Sequence, residues 1–173
     1  MSTWTDQEYK RRIGGLKNIQ EEFDTVQLEK VTLDKVDWRT KGVVNPIKDQ
    51  EECKSDWSFA AVSTIESAHA IKTRELLDLS DQQPLDCYEP QDGCNGGFLD
   101  GVFKYLKTNE LEETVSYPYK GKQGDCTHDA SKGKVGVSSY TRVTWATESV
   151  DNMKAAIALQ PIVAAVQATN LVF

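Results

Sequence analysis

Apolar residues recur at the spacing of one helix face in three stretches of the chain, 57–77, 97–109 and 150–159. No glycine or proline interrupts the first stretch, and Pro161 follows the third, where its missing N–H would end a helix. Residues 80–84 have the composition of a capped first helical turn. The pattern therefore predicts helices that each bury one face in a common core.

Extended and turning segments are predicted elsewhere in the chain. Residues 43–47 read as a short extended piece, and the β-branched run at 162–166 reads as a strand. The glycine-rich residues 91–97 predict an exposed, tightly turning loop, in which Gly96 and Gly97 are expected to supply positive φ angles. The strongly charged residues 1–30 read as an arm, so the packed domain is expected to begin near residue 31.

Length and composition narrow the possible function classes. The chain has 173 residues, of which 39% are hydrophobic, so it can bury a core and is not a disordered polymer. Its formal charge of -7 and the lack of a basic stripe argue against a nucleic-acid partner. No apolar run approaches the ~20 residues that a membrane span needs, and the first residues do not resemble a secretory signal.

The cysteine pattern favours disulfides over metal binding. The cysteines are Cys53, Cys87, Cys94 and Cys126, with no C-x-x-C pair among them. Since His69 and His128 are the only histidines, the spacing does not match a zinc site, and we expect no metal and no cofactor. His69 falls on the apolar stripe of the first predicted helix, which favours a structural role. An even number of separated cysteines suggests two disulfides in an oxidising compartment, whereas no signal is seen, so the localisation stays open.

Several ordered segments between residues 36 and 168 carry a family resemblance. They read Val36-Asp37-Trp38-Arg39, Gly42-Val43-Val44-Asn45-Pro46-Ile47-Lys48-Asp49-Gln50, Cys53-Lys54-Ser55-Asp56-Trp57-Ser58-Phe59, Leu79-Ser80-Asp81-Gln82 with Leu85-Asp86-Cys87, Gly93-Cys94-Asn95-Gly96-Gly97, Ser116-Tyr117-Pro118-Tyr119 with Cys126, and Gln160-Pro161-Ile162-Val163. In order and approximate spacing they resemble the papain/cathepsin L family of cysteine proteases. Upstream, residues 2–9 resemble the last part of that family's inhibitory propeptide.

The resemblance implies an α+β, papain-like fold. Its α-rich left domain would be nearly complete, and its β-rich right domain would be truncated. Residues 1–30 would be a propeptide remnant, with 14–30 lying along the old cleft. Residues 31–173 would be a peptidase domain that is incomplete at its C-terminus.

The resemblance also implies how the cysteines pair. Cys53 would bond to Cys94, and Cys87 to Cys126, while the cysteine missing from the family set is the catalytic one. These bridges indicate ancestry in the secretory or lysosomal route.

The family's chemistry needs a thiolate at a helix N-terminus, a histidine, a residue that orients it, and a glutamine that donates to the oxyanion. By resemblance, Gln50 stands at the oxyanion position and Asp56 at the nucleophile position. A carboxylate is a poor nucleophile towards amides, and neither His69 nor His128 aligns with the catalytic histidine. No catalytic set is intact, so we expect this chain to have no peptidase activity.

Asp56 has a structural and a functional interpretation. In the first, its carboxylate caps the helix that begins there. In the second, it is a permanent anion that holds a cationic group of a partner or of Lys54. The resemblance also assigns a substrate groove in which backbone groups pair with an extended peptide. Its residues are Lys54, Ser55, Trp57, Gly96, Gly97, Phe98 and Leu99.

These features favour a pseudoprotease, a catalytically inactive homologue that binds protein or has a structural role. Residues 162–168 would form an unpaired strand, and such an edge invites pairing with a strand of a protein partner. Two alternatives stay open: a fragment or inactivated precursor of a cathepsin L-like cysteine endopeptidase, and a peptide-binding inhibitor or decoy. Glu51, Glu52 and Lys54 stand where the family favours small residues, which counts against normal substrate entry.

Overall fold

The computed structural model describes residues 5, 7–8, 25–26, 28–29, 35–90, 92–143 and 149–166. The main elements of this part of the chain are, in order, β1 (Thr25–Val26), α1 (Asp56–Thr73), α2 (Gln82–Cys87), α3 (Leu99–Tyr105), β2 (Arg142–Val143) and α4 (Ser149–Leu159). Short 3-10 helices occupy Trp38–Lys41, Gly93–Asn95 and Ala130–Lys132. Residues 43–47 form none of these elements, and the extended piece predicted there stays a prediction.

Helix α1 is the centre of the core. Its periodic apolar face is buried as predicted, with Trp57, Ala61 and Val62 fully covered. The helix ends at Thr73 and not at residue 77, because Arg74 adopts a left-handed conformation with φ of 67°. Its N–H donates to the carbonyl of Ala70, which satisfies one of the last helical acceptors.

Helix α3 packs against α1 and is shorter at both ends than the predicted 97–109. It starts at Leu99 because Phe98 is still extended, and after Tyr105 the chain continues in turns closed by hydrogen bonds to residues three positions earlier. Leucines from outside α1 and α3 complete the core, and replacing one by alanine would cost about 2–5 kcal/mol. These are Leu79, Leu85, Leu106 and Leu111.

Helix α4 and the two strands form a second region. Helix α4 confirms the prediction for 150–159 to within one residue. Strands β1 and β2 are parallel, with Thr25 opposite Arg142 in the register. The N–H of Leu28 donates a 2.8 Å hydrogen bond to Oδ1 of Asn152 in α4. The second region therefore includes residues from before the core and from after it.

Two sequence predictions concern the ends of the described chain. The predicted strand at 162–166 is wrong for this structure, since residues 161–166 form no strand. A strand needs a neighbouring ladder of N–H and C=O groups, and an apolar run does not supply it. Residues 167–168 and most of 1–30, including nearly all of the segment expected along the cleft, lie outside the described residues.

Candidate functional site

An open groove of about 410 Å³ lies beside the start of helix α1. Residues 44–48 and Gln50 line one side, and Asp56, Phe59, Ala60 and Ser63 line the other. The side chain of Ile47 is fully exposed at this groove. The structure thus brings Gln50 and Asp56, the two positions singled out by the resemblance, into one groove with apolar walls.

Asp56 is the first residue of α1, and Ser55 occupies the cap position before it. The expectation that Asp56 is itself the capping residue is therefore corrected. Its carboxylate still lies in the first turn, where the partial positive charge of the helix N-terminus stabilises an anion by about 0.3–1 kcal/mol. The Ser55 side chain makes no capping bond, because its hydroxyl is paired with the hydroxyl of Tyr119 at 2.8 Å.

Tyr119 holds the backbone of Gln50 against the helix. Its hydroxyl donates to the carbonyl of Gln50 at 2.8 Å. Because that bond uses the single hydroxyl proton of Tyr119, the hydroxyl of Ser55 must be the donor in their mutual bond. The ring of Phe59 packs edge-on against that of Tyr119, with centroids 4.8 Å apart. Gln50 is thereby positioned by a residue that lies 69 positions further along the chain.

Both implied disulfides are present. Cys53 bonds to Cys94 with a Cα separation of 4.6 Å, and Cys87 bonds to Cys126 with one of 4.7 Å. No cysteine of the chain is left as a thiol. The first bridge joins the residues just before Asp56 to the loop at 93–97, so it stabilises the approach to α1.

The predicted groove residues do not line the groove that contains Asp56. Ser55 and Trp57 are fully buried, and the expectation is corrected for these two side chains. The indole of Trp57 belongs to the apolar core and directs its N–H to the carbonyl of Gly93 at 3.4 Å, so burial satisfies both its apolar and its polar parts.

The described part of this loop, residues 92–97, is less exposed than predicted. Gly93, Gly96 and Gly97 are buried. Gly96 has the expected positive φ, of 114°, whereas Gly97 has none, and Gly93 has a positive φ of 55° that was not expected. Lys54, Phe98 and Leu99 are half-buried, and the N–H of Lys54 donates to the carbonyl of Cys94 at 3.2 Å.

A partly buried ionic cluster around Lys48, which lines the groove, has no counterpart in the sequence predictions. The Nζ atom of Lys48 lies 3.2 Å from Glu66, 2.7 Å from Asp78 and 3.0 Å from Asp81. Burial alone would lower the pKa of Lys48, but attraction to these carboxylates outweighs it and raises the pKa. Burial raises the pKa of Asp81 from its ordinary 3.8 to about 7, against the attraction of Lys48. The one sequence signal that could have indicated this cluster is Lys48, a lysine that directly follows an apolar segment.

Neither histidine lies at the groove. His69 is half-buried within α1. The Nδ1 atom of His128 lies 3.1 Å from a carboxylate oxygen of Glu112 and 3.1 Å from the amide nitrogen of Gln83. Both histidines are therefore placed in the framework and away from Asp56.

The described residues offer neither a metal site nor a membrane-spanning helix. Over these ranges, no three His, Cys, Asp or Glu side chains are gathered in a way that could hold a metal ion. None of the helices described here combines the length and the apolar character needed to cross a bilayer.

Comparison with known proteins identifies the class to which this fold and groove belong. Residues 32–173 match the model of the papain family cysteine proteases, and the chain belongs to this family. The α+β, papain-like fold expected from the motifs is thereby confirmed.

The relatives include procathepsins L. The chain is 36% identical over 166 residues to germination-specific cysteine protease 1 of Arabidopsis thaliana, covering 94% of this chain and 44% of that protein. It is 33% identical over 172 residues to procathepsin L of Rattus norvegicus, covering 96% and 51%. The structure of digestive procathepsin L2 from Tenebrio molitor matches with a TM-score of 0.77 at 26% identity, covering 89% of this chain and 52% of that one. The chain spans about half the length of the curated relatives it matches.

Proposed function

We propose that this chain is a papain-family pseudoprotease, which binds a protein partner and does not cleave peptides. The single observation that carries the proposal is that Asp56 stands at the start of helix α1, beside Gln50 in the groove. The family resemblance places the nucleophilic cysteine at this position.

The chemistry of Asp56 supports the loss of thiol proteolysis. The nucleophile of a cysteine protease is a thiolate, which forms a covalent acyl intermediate. All four cysteines of this chain are held in disulfides, so none can supply a thiolate elsewhere. A carboxylate at the helix N-terminus is instead stabilised as an anion. Asp56 is suited to holding a charge and not to attacking an amide.

The groove supports a binding role. It combines one anionic side chain, Asp56, with the exposed apolar surfaces of Val44 and Ile47. Such a groove suits a partner segment that presents an apolar residue beside a lysine or arginine. The exposed residues 164–166 offer a second contact, where an extended backbone could add a strand of a partner.

A peptidase assay tests the loss of catalysis. We expect the purified chain to leave a fluorogenic dipeptide substrate intact and to take up no iodoacetamide in its native, oxidised state. The matched variant Asp56→Cys should gain one alkylated thiol, and Asp56→Ser should gain none. Substrate hydrolysis by the unmodified chain that iodoacetamide abolishes would refute the proposal.

A peptide pair tests the binding role. An apolar hexapeptide with a central arginine should bind the chain more tightly than the same peptide with citrulline, and Asp56→Asn should remove the difference. If both peptides bind equally to the unmodified chain, Asp56 is not an anchor for a cation. Light scattering addresses the 164–166 contact, since a monodisperse monomer at all concentrations would speak against strand pairing between chains.

A second candidate is a portion or an inactivated precursor of a cathepsin L-like cysteine endopeptidase. The observation that favours it is that the relatives are about twice as long as the matched region. The intact mass of the natural product distinguishes the two. If the product is longer, peptide cleavage by its Asp56→Cys variant would establish this candidate.

A further inference from the structure

We propose that Lys48, Glu66, Asp78 and Asp81 form a proton-linked clamp, which takes up one proton to hold residues 44–50 on the core in acidic solution and weakens above neutral pH. The proposal is independent of the proposed function, since it concerns the stability of the chain without any partner.

The charge balance of the cluster is the first argument. One ammonium group lies within 3.2 Å of oxygens from three carboxyl groups, so full ionisation leaves an excess of negative charge. Asp78 is 58% exposed and can be solvated, but Glu66 and Asp81 are only 1% and 3% exposed. Burying an uncompensated charge is costly, and a carboxyl group avoids the cost by binding a proton.

Among the carboxyl groups of the cluster, that of Asp81 has the surroundings that most favour binding the proton. One of its oxygens faces Lys48, while the other is buried and accepts no hydrogen bond. Glu66 is better satisfied, since its carboxylate also accepts the N–H of Leu79 at 2.8 Å. A carboxylate with an unsatisfied buried oxygen gains more from neutralisation than one with two donors.

Every element packed around Asp81 contributes a named group. Segment 44–50 contributes Lys48, helix α1 contributes Glu66, and the loop before α2 contributes Asp78. Tyr119 approaches from the fourth side. The pKa of Tyr119 is raised mainly by burial and also by the charge of Asp81. Within the part of the chain that the structure describes, the ion-pair partner of Asp81 is Lys48. The surroundings therefore add negative charge and low polarity but no second cation.

The cluster joins parts of the chain that are distant in sequence. Lys48 donates to the carbonyl of Leu79 at 3.1 Å, and Glu66 accepts from the N–H of the same residue. Segment 44–50, helix α1 and the start of α2 are thus connected through one ammonium group. Because Lys48 also lines the groove, loosening of the cluster would free the wall that carries Gln50.

The direction of the pH dependence follows from linkage. The pKa of Asp81 is about 7 in the folded chain against an ordinary 3.8. A group with a raised folded pKa stabilises the fold fully below its unfolded value, and that contribution is lost as the pH rises through the folded value. Between pH 5 and pH 8, the unfolding equilibrium constant should rise on the order of a hundredfold. The rise is about tenfold for each of the roughly two pH units that lie below the folded pKa.

Urea unfolding of the oxidised full chain at pH 5, 6, 7 and 8, followed by tryptophan fluorescence, tests the clamp. We expect the midpoint urea concentration to fall with increasing pH, most steeply between pH 5 and pH 7, and to level off by pH 8. Asp81→Asn places a neutral side chain of the same shape in the cluster and should abolish this fall. The matched variant Asp125→Asn changes an exposed aspartate outside the cluster and should retain it.

Three results would overturn the proposal. The urea midpoint could be unchanged or rise between pH 5 and pH 7, or Asp81→Asn could keep the slope of the unmodified chain. If Asp81→Asn does not fold, the carboxyl carbon-13 shift of Asp81 in the unmodified chain decides. A titration midpoint at or above pH 6 supports the clamp, and a lower one contradicts it. Because no partner or substrate is present, failure here would leave the proposed function unaffected.

Discussion

The hydroxyl of Tyr119 donates a hydrogen bond of 2.8 Å to the backbone carbonyl of Gln50. With the bond from Ser55, it links the groove, the start of α1 and the segment after residue 115. Tyr119→Phe removes the hydroxyl and leaves the ring contact with Phe59. We expect it to lower the free energy of unfolding by about 1–3 kcal/mol, since two partners lose a hydrogen bond.

A double-mutant cycle with Ser55→Ala separates the two bonds. If Ser55 and Tyr119 are energetically coupled, the two single variants will each lower the free energy of unfolding, and the sum of these losses will exceed the loss in the double variant. Additive effects in urea unfolding would show that the pair is not coupled.

Glu51 is strained in its backbone, with φ of 57° in the left-handed region. Glycine adopts this conformation without the steric cost that a side chain carries. We therefore expect Glu51→Gly to raise the free energy of unfolding by about 0.5–1 kcal/mol, measured by urea unfolding. The neighbouring Glu52→Gly is the matched control, because Glu52 has no positive φ and should only lose stability. Equal losses from both variants would contradict the assigned strain.

Glu112 is expected to give a pH dependence opposite to that of Asp81. Burial would raise the pKa of Glu112, but the N–H of Asp129, the hydroxyl of Ser116 and His128 together lower it. A depressed folded pKa stabilises the chain above the ordinary value of 4.5, and this contribution is lost as the pH falls through the folded value.

The variant Glu112→Gln should therefore destabilise the chain at pH 6 and flatten the loss of stability below pH 4.5. Thermal unfolding between pH 3 and pH 6 measures both effects. The exposed Glu110→Gln should leave the acid limb unchanged, and an identical limb in Glu112→Gln would disprove the assignment.

Asn152 in helix α4 accepts the N–H of Leu28 and so anchors the residues that precede the core. Asn152→Ala should weaken this anchor by about 1 kcal/mol and speed proteolysis of the bonds around residues 26–35 by several-fold. The control variant Lys154→Ala changes an exposed side chain on the same helix. It should be cleaved at the same rate as the unmodified chain. Limited proteolysis with mass analysis of the fragments gives both rates.

The helices were predictable to the extent that their signals are local. The apolar period of α1 identified its buried face, and Pro161 marked the end of α4. The end of α1 was not predictable, because the left-handed turn at Arg74 carries no glycine or proline. The strand predicted at 162–166 failed for a different reason, since strand formation depends on a partner that the local residues do not contain.

The candidate site shows the same division. That residue 56 is an aspartate and that the cysteines belong to two bridges follow from the sequence, the second through the family resemblance. That the side chains of Ser55 and Trp57 are both buried was not foreseen, because residue type does not show which side of the start of a helix is covered by segments distant in the chain.

The sequence by itself determined the periodic helices, the family motifs and the absence of a thiol at the start of α1, because each of these is a property of residue type and spacing. Tertiary structure alone decided that Lys48 meets Glu66 and Asp81, which are 18 and 33 positions away. It also decided that Tyr119 holds Gln50. The physical reason is that ionic and hydrogen-bonding energies depend on distance and burial, and neither is set until distant segments of the chain pack together.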